Sequence, residues 1–235
     1  MEDNLSIQEI NWQLEQVLEE RDRMAAELKQ ELDLAREVQR SLLPEEDPVD
    51  AVAHGLNLSA KAVSGDFYDF YRLHDGRTAF CIADVSGKGM NAALLMAKAS
   101  SLFHCLGKGI HDPAKLLTMI NRELVETAIR GMFITLVAGV IDPETTQVTL
   151  CNAGHLPVLR MRGRQVMEHY PADSPPLGIL AESQFENRNL RLGDDCLYLY
   201  TDGILEAKLA DGRRQDQEGL ELSLIHISEP TRPLH

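Results

Sequence analysis

The most constraining feature of this 235-residue chain is its N-terminal stretch, which has the composition and periodicity of one long helix. Residues 5–42 contain neither Gly nor Pro and are rich in Glu, Leu, Arg and Gln. Apolar side chains recur there in steps of three and four residues, the heptad spacing of coiled coils. The members of this apolar stripe are Ile7, Ile10, Leu14, Val17, Met24, Leu28, Ala35, Val38 and Leu42. A narrow stripe cannot bury itself, so we expect the helix to pair with a second copy or to lie against the following domain.

Charge and proline separate this segment from the rest of the chain. Residues 1–47 carry 14 acidic and 5 basic side chains, so they hold −9 of the total net charge of −14. Pro44 and Pro48 end the helix and begin a linker. We therefore divide the chain into an N-terminal coiled-coil helix with its linker, residues 1–47, and a globular domain from residue 48.

The overall charge limits the classes of partner. A net charge of −14 disfavours binding to nucleic acid or to an anionic membrane surface, since both need a basic face. No run approaches the ~18 apolar residues of a membrane-spanning helix, and the first residues are acidic, unlike a signal peptide. We expect a cytoplasmic protein without a membrane span and without a nucleic-acid partner.

The globular part has the element order of an α+β domain. Residues 67–83 predict two strands, residues 90–129 two helices, and residues 132–200 about five more strands. This order fits stacked antiparallel sheets with helices outside. Residues 185–192 and 196–200 are expected to form a hairpin across the turn Gly-Asp-Asp.

Three aspartates lie in glycine-containing segments where predicted strands begin or end: Asp66 after Gly65, Asp84 three residues before Gly87, and Asp202 before Gly203. A carboxylate at the end of an apolar strand needs a cation or backbone N–H groups to offset its charge. Oxygen ligands with no nearby His or Cys suit Mg²⁺ or Mn²⁺. Each site taken singly also fits an ordinary turn, and it is their joint occurrence that favours a metal site.

Four motifs carry a resemblance to a known family. They are Ser-Gly-Asp-Phe-Tyr-Asp at 64–69, Ala-Asp-Val-Ser-Gly-Lys-Gly-Met-Asn-Ala-Ala-Leu at 83–94, Asn-Ala-Gly-His at 152–155 and Leu-Tyr-Thr-Asp-Gly-Ile at 199–204. With these motifs and with its segment 35–44, the chain resembles the bacterial PPM-type (protein phosphatase 2C-like) serine phosphatases, in the branch of the sporulation protein E phosphatase and the stress sigma-factor regulators. The resemblance covers residues 35–222. It implies a four-layer α/β/β/α sandwich of two antiparallel sheets flanked by helices, preceded by the long helix.

The same resemblance implies a site for two Mn²⁺ or Mg²⁺ ions that activate water for attack on phosphoserine. By motif position, Asp84 would bridge both ions, the carbonyl of Val85 would be a further ligand, Asp202 would bind one ion, and Asp66 would bind directly or through water. The residues expected near phosphate or substrate are Asp69, Gly87, Lys88, Gly89 and His155. For three of these an alternative stays open: Asp69 as the residue that orients its motif, Lys88 as a surface residue, and His155 as the residue that shapes a turn.

The implied function is that of a metal-dependent serine phosphatase acting on a small phosphorylated anti-sigma-factor antagonist in a partner-switching pathway. The helix at residues 5–42 would form a homodimer and transmit a signal from an upstream sensor domain or protein. The alternative is a catalytically incomplete pseudophosphatase, an interaction module that dimerises through the same helix.

The C-terminal end departs from the family pattern. The family's last motif, a strand with Asp-Asp-x-Thr, is not found in the 33 residues that follow Asp202. Asp194 and Asp195 do not replace it, because they precede Asp202. From Ser223 onward the sequence fits neither the expected helix nor that strand. We expect residues 223–235 to be a non-family tail read from a sequencing adapter, and residues 48–222 to form a phosphatase domain that is incomplete at its C-terminal end and binds metal weakly.

Overall fold

The computed structural model describes residues 2–44, 52–57, 63–127 and 131–205. The expected tail at 223–235 and the end of the expected domain, residues 206–222, lie outside the described residues. None of the helices within the described ranges combines the length and the apolar character needed to cross a membrane.

The long N-terminal helix is confirmed. Helix α1 runs over Glu2–Arg40, and 39 residues extend about 58 Å at 1.5 Å per residue. Its apolar stripe is exposed along most of this length, with Ile7 at 54%, Leu14 at 54% and Leu28 at 57% exposure. Among the residues that the structure describes, contact with the domain core is made just after the helix, where Leu43 packs. Most of the stripe therefore does not lie against the domain, whereas Ala35 and Leu42 near its end are partly buried.

The domain that follows is built from two antiparallel sheets and two long helices. The remaining elements are β1 (Phe67–Arg72), β2 (Thr78–Val85), α2 (Met90–Gly107), α3 (Pro113–Glu126), β3 (Ile134–Asp142), β4 (Gln147–Ala153), β5 (Val158–Arg162), β6 (Gln165–Tyr170), β7 (Arg188–Arg191), β8 (Cys196–Tyr198) and α4 (Asp202–Leu205). The five-stranded sheet has the order β1-β2-β3-β4-β7, and the three-stranded sheet has the order β6-β5-β8. This arrangement confirms the predicted α+β class with two antiparallel sheets flanked by helices.

Side-chain alternation along the strands separates two apolar layers. The larger layer joins α2 and α3 to one face of the five-stranded sheet and includes Phe103, Leu117 and Leu136. A second layer lies between the two sheets, where Val137 of β3 packs with Val158 of β5. The five-stranded sheet is therefore covered on both faces, and its central strands carry continuous apolar runs as a consequence.

The predicted hairpin between residues 185–192 and 196–200 is wrong. Strand β7 pairs with β4 in the five-stranded sheet, whereas β8 pairs with β5 in the three-stranded sheet. Asp195 explains the crossing, because its carboxylate accepts hydrogen bonds from Arg160 at 2.7 Å and Arg162 at 2.6 Å, both on β5. These bonds draw the chain away from β7 and across to the second sheet.

Candidate metal and phosphate site

The first two aspartate motifs meet at one end of the five-stranded sheet. Strands β1 and β2 are antiparallel, with Phe67 opposite Ala83. Asp66 precedes β1 by one residue and Asp84 is the next residue of β2, so the register places them side by side. Phe67 and Ala83 both face the helix layer, and alternation therefore turns Asp66 and Asp84 toward the three-stranded sheet.

The third motif reaches the same place from the other sheet. The Thr201 hydroxyl donates a hydrogen bond of 2.8 Å to Oδ2 of Asp66, which is 135 residues away in sequence. A Cβ atom added at Gly203 would lie 3.6 Å from that same oxygen. Asp202, the first residue of α4, stands between these two contacts. The structure thus brings the Asp202 segment to the Asp66 carboxylate, as a shared site requires.

Val85 joins this group through its backbone. A Cβ atom at Gly65 would lie 3.1 Å from the Val85 carbonyl oxygen and 3.3 Å from its Cβ. A side chain at position 65 would force the Val85 backbone to shift by a few tenths of an ångström, so glycine favours this close approach of the first motif. The four predicted ligand positions therefore belong to segments that meet at one end of the two sheets.

The glycine loop after β2 leads directly into helix α2. Ser86 fixes its start, because its amide donates to the Phe133 carbonyl at 2.9 Å and its hydroxyl accepts from the Phe133 amide at 2.8 Å. Gly87 and Gly89 have φ angles of +94° and +81°, and Lys88 is exposed between them. Gly89 makes no side-chain cap for α2, so the first N–H groups of this helix are oriented as in anion sites.

Asp69 lies on the opposite face of the sheet. It pairs with Cys81 in the register, so it points into the helix layer, where its side chain is 4% exposed. Its Oδ2 lies 2.8 Å from Nδ1 of His104 on α2. Burial raises the pKa of Asp69, while the contact with His104 acts in the opposite direction. The structure therefore places Asp69 with α2, away from the face that carries Asp66 and Asp84.

His155 lies between the two sheets, with both ring nitrogens engaged. Nδ1 lies 2.8 Å from the Thr135 hydroxyl, and Nε2 lies 3.0 Å from the Tyr200 carbonyl oxygen. A carbonyl only accepts, so Nε2 carries the proton, and Nδ1 accepts from Thr135. Burial lowers the pKa of His155 to about 4, which agrees with this neutral form. Besides the predicted role in shaping a turn, His155 contacts β3 of the five-stranded sheet and the segment that follows β8 of the three-stranded sheet.

Gln39 is a residue that the sequence analysis missed. Its side chain accepts from the Ser64 amide at 3.0 Å and donates to the Ser64 carbonyl at 2.9 Å and to the Ala93 carbonyl at 3.3 Å. The end of α1 is thereby tied to the first motif and to α2. The available signal was its position in segment 35–44, which resembles the family's helix, but nothing in the heptad pattern singles out this residue.

The donor chemistry of the site fits a hard divalent cation. Asp66, Asp84, Asp202 and the Val85 carbonyl offer only oxygen, the ligand type that Mg²⁺ and Mn²⁺ prefer. Across residues 2–44, 52–57, 63–127 and 131–205, no three His, Cys, Asp or Glu side chains form a group that could by itself hold a metal ion. The segments that carry Asp66, Asp84 and Asp202 meet at one end of the two sheets, but the described side chains do not form a closed set of metal ligands.

Solved structures share this fold. The SiaA-PP2C domain of Pseudomonas aeruginosa superposes with a TM-score of 0.67 at 19% identity, covering 86% of this chain and 82% of that one. The PP2C phosphatase domain of SpoIIE from Bacillus subtilis has been solved with a fragment of its regulatory domain. It superposes with a TM-score of 0.59 at 26% identity, and the match covers 71% of this chain and 48% of that one. PP2C phosphatases as a class depend on Mn²⁺ or Mg²⁺.

Sequence relatives point the same way. Phosphoserine phosphatase RsbU of Bacillus subtilis is 31% identical over 194 residues, 79% of this chain and 56% of that protein. Phosphoserine phosphatase RsbP of the same organism is 30% identical over 185 residues, which is 76% of this chain and 46% of that protein. The chain thus spans about half the length of these relatives. The profile of the family Stage II sporulation protein E (SpoIIE) matches residues 74–234. The chain belongs to the SpoIIE family of PP2C-type phosphatase domains.

Proposed function

We propose that this chain is a metal-dependent protein phosphatase that hydrolyses phosphoserine. The observation that carries the proposal is the contact of the Asp66 carboxylate with the Thr201–Gly203 segment, next to Asp84, in a chain of the SpoIIE family. The names of RsbU and RsbP as phosphoserine phosphatases support it.

The residues that would hold two Mn²⁺ or Mg²⁺ ions are Asp66, Asp84, Asp202 and Val85 through its carbonyl. When bound, such ions lower the pKa of water and offset the negative charge of the phosphoryl oxygens. Asp84 would serve both ions, as the resemblance of its motif implies. Asp66 is held in place by Thr201, which reduces the entropy lost when its carboxylate becomes a ligand.

The glycine loop is suited to orient the phosphoryl group. The amide groups that open α2 and the side chain of Lys88 would face the phosphate oxygens, with the positive φ of Gly87 and Gly89 shaping the approach. In the hydrolysis, a water oxygen forms the new bond to phosphorus, the bond from phosphorus to the serine Oγ breaks, and the serine oxygen takes up a proton. Serine and inorganic phosphate are the products.

The proposed substrate is a small phosphorylated anti-sigma-factor antagonist, as the resemblance of the four motifs to the stress sigma-factor regulators implies. We further propose that α1 forms a homodimer and carries a signal from a sensor domain or protein. The exposed apolar stripe supports the homodimer, and the contacts of Gln39 give α1 a direct connection to the first motif.

A second candidate is a pseudophosphatase that binds a phosphoprotein without turnover. One observation favours it: within the described ranges, no three ligating side chains are grouped tightly enough to hold a metal ion. It differs from the first proposal in a measurable way, because it predicts binding without release of phosphate.

Phosphate release from a phosphoserine-containing antagonist protein tests the proposal, with Mn²⁺, with Mg²⁺ and with a chelator. We expect metal-dependent release that falls roughly 100-fold or more in Asp84→Asn, because the charge stabilisation that a metal ion supplies is worth several kcal/mol and needs this carboxylate. Asp69→Asn is the matched control, since it removes a carboxylate of the same strand pair on the opposite face, and its rate is expected to stay near that of wild type. A folded wild-type protein without release in either metal would favour the pseudophosphatase.

A further inference from the structure

The proposed ligands come from two different sheets. Asp84 lies on β2 of the five-stranded sheet, whereas Asp202 follows β8 of the three-stranded sheet. A metal site needs its ligands held to within about 0.5 Å, which takes hydrogen bonds from neighbouring groups as well as apolar packing between the two sheets. A ligand set split between them therefore needs a directional contact at this end of the sandwich.

His155 supplies such a contact. On one side it bonds to Thr135 of β3, the residue directly opposite Asp84 in the β2–β3 register. The Thr135 hydroxyl lies 3.4 Å from the Asp84 carbonyl oxygen, but its one proton goes to Nδ1 of His155, so the two oxygens are in contact without a hydrogen bond. On the other side His155 donates to the carbonyl of Tyr200, two residues before Asp202.

The ring has no nitrogen left for substrate. Nε2 donates to the Tyr200 carbonyl and Nδ1 accepts from Thr135, and the residue is 6% exposed. The backbone of His155 is itself fixed, because its amide donates 2.9 Å to Oδ1 of Asn152, whose Nδ2 donates to the Leu156 carbonyl. A group anchored in this way orients its neighbours and does not transfer protons in the reaction.

We propose that His155 is a positioning residue that fixes the Tyr200–Gly203 segment against the end of β2, so that Asp202 and Asp84 face one metal site. Its effect on metal affinity rests on the proposed function, whereas its effect on the segment does not. The Asn-Ala-Gly-His motif is then the structural link between the two halves of the ligand set.

Three substitutions separate the two ring nitrogens. His155→Leu removes both hydrogen bonds. His155→Gln places a side-chain N–H near the position of Nε2 and keeps the bond to Tyr200, while His155→Asn reaches only the position of Nδ1. Asp195→Asn is the control for lost stability, because it weakens another buried polar contact of the three-stranded sheet, to Arg160 and Arg162, at the start of β8.

Two quantities are measured on the full chain: the Mn²⁺ dissociation constant, from the electron paramagnetic resonance signal of free Mn²⁺, and millisecond hydrogen exchange of residues 200–205. We expect His155→Leu and His155→Asn to weaken Mn²⁺ binding roughly 10- to 100-fold, as outer-shell partners do. Exchange of residues 200–205 should rise about tenfold, the equivalent of one net hydrogen bond. His155→Gln keeps the Tyr200 bond on a backbone that Asn152 still holds, so this variant and Asp195→Asn should stay near wild type in both.

The proposal is overturned if His155→Leu changes neither quantity, or if Gln and Asn at position 155 behave alike. The Gln and Asn pair keeps the test decisive should the Leu variant fail to fold. Wild-type protein that binds no Mn²⁺ would refute the metal site of the proposed function, and the exchange series would then decide the role of His155 by itself.

Discussion

At the scale of single residues, His155 shows how burial sets chemistry. Its pKa is lowered to about 4, first because burial disfavours the charged ring. In the unfolded chain the pKa of histidine is about 6.5. As the pH falls below 6.5, His155 therefore binds a proton in the unfolded state but stays neutral in the folded state. Stability is thus fully present above pH 6.5 and is lost as the pH falls toward 4.

This linkage predicts a difference between wild type and His155→Gln, which has no titrating ring. Between pH 7.5 and pH 5, wild type should lose roughly 2 kcal/mol more of its free energy of unfolding than the variant. Urea denaturation at both pH values, without divalent cations, measures this difference. Equal losses in the two proteins would contradict a buried, neutral His155.

The aspartates show what the sequence could and could not establish about the site. Asp66, Asp84 and Asp202 could be predicted as ligands because a carboxylate in a glycine-containing segment at a strand end is a local pattern. The position of Asp69 could not be predicted in this way. It depends on the register between β1 and β2, which turns the side chain of Asp69 toward His104. The contacts of His155 span up to 45 residues, and no local pattern encodes them.

At the scale of elements, Gln39 joins α1 to the domain, since its side chain accepts from the Ser64 amide and donates to the Ser64 and Ala93 carbonyls. Gln39→Ala should therefore accelerate hydrogen exchange of the Ser64 amide about tenfold, because a net hydrogen bond is worth about 1–1.5 kcal/mol. Residue-resolved exchange by NMR measures this rate. Glu37→Ala is the matched control, an exposed position on the same turn of the helix. Unchanged exchange of Ser64 in the Gln39 variant would contradict this connection.

Long helices were predictable from local signals, and the sheet crossing was not. The absence of Gly and Pro predicts α1, and Asp112 followed by Pro113 predicts the start of α3, where Asp112 accepts from the Lys115 amide at 3.1 Å. The turn at residues 193–195 has the same local signature in a hairpin as in a crossing between sheets. The choice depends on Asp195 meeting two arginines of β5, a contact between distant segments.

At the scale of the whole molecule, the exposed apolar stripe predicts a dimer through α1. Leu28 belongs to the stripe and is 57% exposed, whereas Leu34 lies outside it and is 64% exposed. Leu28→Asp should shift the protein to monomer, since it would bury an unpaired carboxylate in the seam. Leu34→Asp, the matched control, should leave the dimer intact.

Sedimentation velocity over a range of concentrations distinguishes these states. Residues 1–47 hold a net charge of −9, so added salt should strengthen the wild-type dimer by screening repulsion between the two helices. A wild-type monomer at high concentration, or identical behaviour of the two variants, would refute pairing through the stripe.

The most direct test of the central claim is to locate the cations in crystals of this chain soaked with Mn²⁺, from anomalous scattering at the manganese edge. We predict peaks at the end of the two sheets, among Asp66, Asp84 and Asp202, and their loss in Asp84→Asn crystals. Wild-type crystals with no peak at this position, or with peaks only at other carboxylates such as Asp69, would contradict it.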